Sequence, residues 1–307
     1  MGESNEVKCD CMDREIIVNA PSKINYGLNV VGLTRDGFHS LDTVMIAIPV
    51  FDRIHIRLRE DKIITTAFGD ESGQAIDVDC KNNTAYKAAQ YVVDKYDVSG
   101  VDIRVAKGVP IAGGMGGSSC DAAGVLYGYK RLLGLNIGCG DAARLGSDTA
   151  FLYGALEDKD RNRRLSGGEV WFAARCRGRG ENMEYFESRP LNMVICVQGR
   201  VDTTRCFGEF GRMYPNRVSE PNDIGTLIRE LESGEIGTPV GNALQEPAMV
   251  IEAEVRKSLE LVQGTSPVVS FVTGSGAAVV GIYRDTNSRN GAYKKLVGTR
   301  DKVISVG

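Results

Sequence analysis

Apolar and polar positions alternate over residues 14–31 and read as two strands joined near Ala20-Pro21. Residues 44–49 and 54–58 predict two further strands, while 60–80 carry Gly and Asp turns and predict no element. Over 82–96 the period lengthens: Ala85, Ala89, Val92, Val93 and Tyr96 share one helical face, and Asn82 or Asn83 is placed to cap it. A strand at 101–105 leads into a glycine-dense loop at 108–117 and then a helix from about 118 to 133. The mixed-charge run 157–164, EDKDRNRR, predicts a solvated loop. Strands follow at 169–175 and 191–197. An amphipathic helix spans 242–262 with Pro247 in its early turns, and strands at 268–272 and 278–283 flank Gly274-Ser275-Gly276. No internal repeat is visible. The pattern is mixed α+β, with a boundary near 185–190 and a variable extension at 1–13.

Composition sharpens this in one respect. Of 307 residues 37 are glycine, roughly 15 more than ordinary usage supplies. Only 9 are proline, and no G-X-Y period runs through the chain, so collagen-like and low-complexity classes are excluded. A net charge of −3 gives a nucleic-acid partner no support. No apolar run approaches a membrane span of about 20 residues. The acidic, polar N-terminus is unlike a secretory signal or an Arg-rich transit peptide. The eight cysteines are scattered, with no paired C-x-x-C sets for zinc, and read as reduced cytosolic thiols. The expected location is cytoplasmic. The two histidines, His39 and His55, cannot form a three-His metal site.

The candidate chemistry centres on Val109-Pro110-Ile111-Ala112-Gly113-Gly114-Met115-Gly116-Gly117-Ser118-Ser119-Cys120. Strand, glycine loop and helix start together make a phosphate cradle, because glycines let backbone approach a ligand and helix N-termini offer unpaired N–H groups. The segment equally suits a glycine-rich turn capping a helix. It is not a Walker A loop, since no Gly-Lys-Ser/Thr follows, and it is too far along the chain for a Rossmann fingerprint. Lys23 interrupts an apolar strand, as a snorkelling surface lysine or as a functional cation, and Asn25 shares its face. Asp148 sits among small and apolar residues, either as a helix N-cap or as a base for a substrate hydroxyl with a lysine nearby. The segment 34–43 reads as an ordinary turn or, through Phe38 and His39, as a grip on a flat ligand.

Taken together and in order, these segments resemble the GHMP kinase superfamily, and within it the 4-diphosphocytidyl-2-C-methyl-D-erythritol kinase family. That family carries A-P-A-K-x-N and R-x-D-G-Y-H-x-L-x-T; here the stretches read APSKIN (20–25) and RDGFHSLDT (35–43). Its loop P-x-x-x-G-L-G-G-G-S-S-D-A-A corresponds to PIAGGMGGSSCDAA (110–123). L-G-A-D-V-P-F-F corresponds to LGSDTAFL (145–152), G-R-G-E recurs at 178–181, and T-G-[ST]-G-A recurs at 273–277. The matches run from about residue 14 to the end. Phe38 replaces a Tyr, Cys120 falls within the loop pattern, Ala150 replaces a Pro, 134–145 is short, and 155–168 looks inserted.

The resemblance implies an α+β fold of two domains: a ribosomal protein S5 domain 2-like ATP-binding domain (14–187) and a ferredoxin-like domain (188–307). It implies ATP-dependent phosphorylation of an alcohol on a cytidine diphosphate substrate, with Asp148 as base and Lys23 as its electrostatic partner. Pro110, Gly113, Gly114, Gly116, Gly117, Ser118, Ser119, Asn83 and Lys107 would bind ATP, with Ser118 or Ser119 at Mg2+ and Asn83 at the adenine. Asn25, Phe38, His39, Thr203, Phe207, Gly274, Ser275 and Gly276 would serve the acceptor, with Phe38 and Phe207 holding the cytosine. Gly274 to Gly276 would pack on the phosphate loop. A monomer or homodimer with no nucleic-acid or membrane partner is expected. Another small-molecule kinase of the superfamily, for mevalonate, homoserine or a sugar, and a non-catalytic GHMP-like binding protein are the alternatives.

Overall fold

A computed structural model describes residues 14–79, 81–162 and 170–307, without the side chains of 159–162. The extension 1–13, Cys9, Cys11, Cys80 and residues 163–169 lie outside that description. The expected helix and strand types recur, with bounds that physics explains. The first two expected strands are one, β1 (Glu15–Leu33), and the next two are one, β2 (His39–Leu58). Pro21 lacks an N–H for the ladder; the β1–β2 register shifts there, between Pro21 and Ser22, so the strand bends instead of ending. The unassigned stretch 60–80 supplies β3 (Thr65–Asp70). Next come α1 (Thr84–Tyr96), β4 (Val101–Lys107), α2 (Gly117–Leu133), α3 (Cys139–Ala143) and α4 (Ser147–Asn162). Helix α4 overturns the solvated loop for 157–162. The run holds helix-forming residues, and Glu157 pairs with Lys130 of α2 at 2.8 Å. Residues 163–164 of that run fall outside the description.

Two antiparallel strands, β5 (Trp171–Gly178) and β6 (Asn182–Ser188), complete a sheet of order β3-β4-β2-β5-β6, with β1 paired to β2. The strands then change sheet. β7 (Asn192–Val197), α5 (Thr203–Met213), α6 (Ile224–Ser233), α7 (Gln245–Ile251), α8 (Ala253–Gln263), β8 (Val269–Val272), β9 (Val279–Tyr283), α9 (Thr286–Leu296) and β10 (Lys302–Val306) follow. Their sheet has the order β10-β7-β9-β8, all antiparallel, which is the ferredoxin-like arrangement of four strands. The single helix expected over 242–262 is broken at Glu252, which adopts extended backbone (φ −135°, ψ 103°) and caps α8 through its own side chain on the Glu254 N–H.

One hydrophobic cluster runs through both sheets, and a second fills the space between the second sheet and the helices α5, α7, α8 and α9. Tyr26 of β1 meets Phe271 of β8 edge-on, with ring centroids 5.6 Å apart. Backbone bonds Val30 N–H to Ser219 O (2.8 Å) and Leu28 N–H to Gly241 O (3.1 Å) tie the far end of β1 to the second half of the chain. Part of the glycine surplus serves packing. Cβ atoms placed on Gly124 and Gly128 of α2 would lie 2.3 and 2.2 Å from the Cδ1 atoms of Ile54 and Ile56. The helix therefore rests directly on β2, which sets the height of the glycine loop at its N-terminus.

Candidate active site

The loop between β4 and α2 is pinned from two sides. Ala277 N–H donates to Ala112 O (3.2 Å) and Ala278 N–H to Gly113 O (3.0 Å), so the 273–278 turn pairs with the loop. A Cβ on Gly114 would stand 2.5 Å from Thr273 O, and Gly114 has φ +75°, so only glycine fits. Asn242, buried, donates to Val272 O and Gly274 O at 2.7 Å each and braces that turn. Ser118 and Ser119 open the 17-residue helix α2, where unpaired N–H groups and the helix dipole favour an anion.

Lys23 comes up beside this loop from β1. Its ammonium donates to Asn25 Oδ1 (2.7 Å) and Gly114 O (3.0 Å) and lies 3.3 Å from Asp148 Oδ2. Asn25 is fixed in turn by Thr43 Oγ1 (3.0 Å) and by its own N–H on Thr273 Oγ1 (2.7 Å). The lysine is buried, so it is not a snorkelling surface residue. Asp148 sits in the first turn of α4 rather than at its N-cap.

A cavity of about 770 Å³ joins these groups. Its wall includes Lys23, Asn25, Asn83, Lys107, Pro110, the loop from Gly113 to Ser119 and Asp148. Thr203, Phe207, Gly274 and Ser275 line the same cavity. Thr203 and Ser275 share a hydroxyl hydrogen bond of 3.0 Å. Asn83 caps α1 by accepting from Tyr86 N–H (2.7 Å).

Three expected residues sit apart from that wall. Gly276 packs behind it, and Phe38 and His39 lie beside it. Phe207 stacks on His39 (centroids 4.8 Å, 24°). Phe38 is half exposed beneath the Arg179 guanidinium. Phe38 lies in the turn before β2 and His39 opens the strand, and the two rings meet different partners, Arg179 and Phe207. Burial, and then Arg217, lower the pKa of His39.

Lys107 lies under the loop. Its ammonium contacts Asp52, Asp121 Oδ2 (2.8 Å) and Gly117 O (3.2 Å). Asp52 also accepts from the Gly108 and Val109 N–H groups at 2.8 and 2.9 Å, and from the Cys120 thiol at 3.1 Å. Burial alone would depress the lysine, but Asp121 and Asp52 hold its pKa above the usual range. Burial pushes the Asp121 carboxyl up. The cluster thus anchors both ends of the loop to β2. Sequence reading missed Asp52 and Asp121; the one available signal was a lone carboxylate at 52 in an apolar alternating stretch.

Residues 83–155 match the family profile described as the GHMP kinases N terminal domain. That stretch carries the GHMP kinase N-terminal signature. A 4-diphosphocytidyl-2-C-methyl-D-erythritol kinase of Bacillus cereus is 29% identical over 302 residues, covering 95% of this chain and 96% of its own. One from Bacillus cytotoxicus is 28% identical over the same coverage. A solved 4-(cytidine 5'-diphospho)-2C-methyl-D-erythritol kinase superposes with a TM-score of 0.75 at 24% identity, covering 95% of this chain and 98% of the other. A homoserine kinase from Cytophaga hutchinsonii superposes at 0.64 and 15%, covering 96% and 95%. The fold is that of the GHMP kinases, and the class is that of ATP-dependent small-molecule kinases. Among the described residues, no helix of this kinase is long and apolar enough to cross a membrane.

Proposed function

We propose that this kinase transfers the γ-phosphoryl group of ATP to the 2-hydroxyl of 4-diphosphocytidyl-2-C-methyl-D-erythritol. The observation that carries the reading is the continuity of one cavity from the glycine loop, past the Lys23–Asp148 pair, to Thr203 and Phe207. It is supported by relatives of that name aligned along 95% of the chain.

Phosphoryl transfer needs positioning and charge neutralisation more than covalent chemistry. The loop 113–119 holds the triphosphate against the N-terminus of α2. Asp148 accepts the proton of the attacking hydroxyl. Lys23, fixed by Asn25 Oδ1 and Gly114 O, stabilises the alkoxide character that develops there. The hydroxyl oxygens of Ser118 and Ser119 suit a hard divalent cation, and either would hold Mg2+, which neutralises phosphate charge when bound. His39, Phe38 and Phe207 receive the cytosine, for which Phe207 must exchange its His39 face for the base.

Phosphorus NMR of the reaction tests the proposal. The expected product keeps its diphosphate signals and gains one phosphomonoester, assigned to the 2-position by its proton couplings. Recovery of unchanged acceptor contradicts the proposal.

A further inference from the structure

We propose that Arg179 is the cation that binds the diphosphate of the acceptor, an inference that rests on the function proposed above. Among the described residues, three cationic side chains line the cavity: Lys23, Lys107 and Arg179. Two are already neutralised inside it. Lys23 is paired with Asp148, and Lys107 with Asp52 and Asp121. Arg179 differs. Its carboxylate contact is Asp36, 3.6 Å away, and both side chains are more than half exposed, at 51% and 58%. Asp36 stands outside the cavity wall and is also held by the Thr34 hydroxyl at 2.5 Å. An exposed pair of this kind is screened and readily exchanged for a ligand.

The location fits the order of groups in the acceptor, where the diphosphate lies between the cytidine and the alcohol. Arg179 occupies the tip of the β5–β6 hairpin, between Gly178 and Gly180. Its guanidinium lies 3.9 Å over the ring of Phe38, beside the residues expected at the base. On the other side, Gly180 abuts the helix that carries Asp148: a Cβ there would stand 3.0 Å from Ser147 Cβ. The tip is held by Gly180 N–H on Arg177 O (3.1 Å) and Arg179 N–H on Glu181 Oε2 (2.5 Å). A guanidinium stacked by its face keeps its edge N–H groups for a bidentate phosphate contact.

The test compares wild type with Arg179→Gln and Arg179→Lys. In Arg179→Gln the KM for the acceptor rises about tenfold or more, while the KM for ATP stays within about twofold. Arg179→Lys falls between. Calorimetric titration with cytidine diphosphate and with cytidine, which needs no turnover, separates this inference from the proposed function. Wild type prefers the diphosphate, and Arg179→Gln loses that preference, even if another alcohol proves to be the acceptor. Wild type that binds both alike overturns the inference. So does a variant that weakens both equally, or one in which kcat alone falls, since the arginine would then act on fold or on the transferring phosphoryl group.

Discussion

Lys23 is held by Asn25 and Gly114 independently of substrate, so the variant Asp148→Asn tests the proposed base by removing its carboxylate charge at nearly constant side-chain shape. Turnover is expected to fall by about 10²- to 10⁴-fold with ATP affinity unchanged. Equilibrium binding and single-turnover measurements check the two halves, and wild-type turnover would remove Asp148 from the mechanism. His39 gives a pH signature. Its folded pKa lies below the ordinary 6.5 through burial and then Arg217, so on acidification the unfolded chain takes the proton first. Stability tied to neutral His39 is complete above about pH 6.5 and is lost as pH falls toward the folded pKa. Acceptor KM is accordingly expected to be level above pH 6.5 and to rise below it. A profile that His39→Asn leaves unchanged contradicts this. At this scale the sequence carried residue types and local faces. Lys23 and Asn25, two apart on a strand, do share a hydrogen bond. The meeting of Lys23 with Asp148 depends on chain closure over more than a hundred residues, which no local pattern encodes.

At the scale of elements, the buried ion cluster couples β2, β4 and α2. Replacing Lys107 by Met leaves Asp52 and Asp121 without their counter-charge. The expected cost is about 3–5 kcal/mol, read from the urea midpoint, and Asp121→Asn in the same chain recovers part of it. A midpoint shift worth under about 1 kcal/mol would show that Lys107 serves a ligand rather than the loop. Element types were legible where periodicity was strong, as in α1, α2 and β4. Their limits were not. Pro21 looked like a strand end but is absorbed by a register shift. The apolar period through 242–262 looked like one helix but breaks at Glu252, where side-chain capping competes with helical continuation. The charge run at 157–162 looked like loop because the contact that holds Glu157, with Lys130 of α2, comes from tertiary packing rather than from its own pattern.

At the scale of the molecule, two sheets share a core, and the cavity lies where the 273–278 turn of the second half closes on the glycine loop of the first. The ordered motifs made the fold legible, and those of the glycine loop occupy backbone positions with a steric requirement, such as Gly114 against Thr273 O. Acceptor identity was less legible, since the proposed acceptor site draws Phe38, His39, Phe207 and Arg179 from three separate segments. The most direct measurement is coupled ADP release under Mg2+ and ATP, with 4-diphosphocytidyl-2-C-methyl-D-erythritol, mevalonate and homoserine compared by kcat/KM. The expected result is acceptor-dependent release with the cytidine diphosphate alcohol, at least about 100-fold above the other two, a gap of about 2.7 kcal/mol. Equal or greater turnover of mevalonate or homoserine, or no acceptor-dependent release at all, would contradict the account.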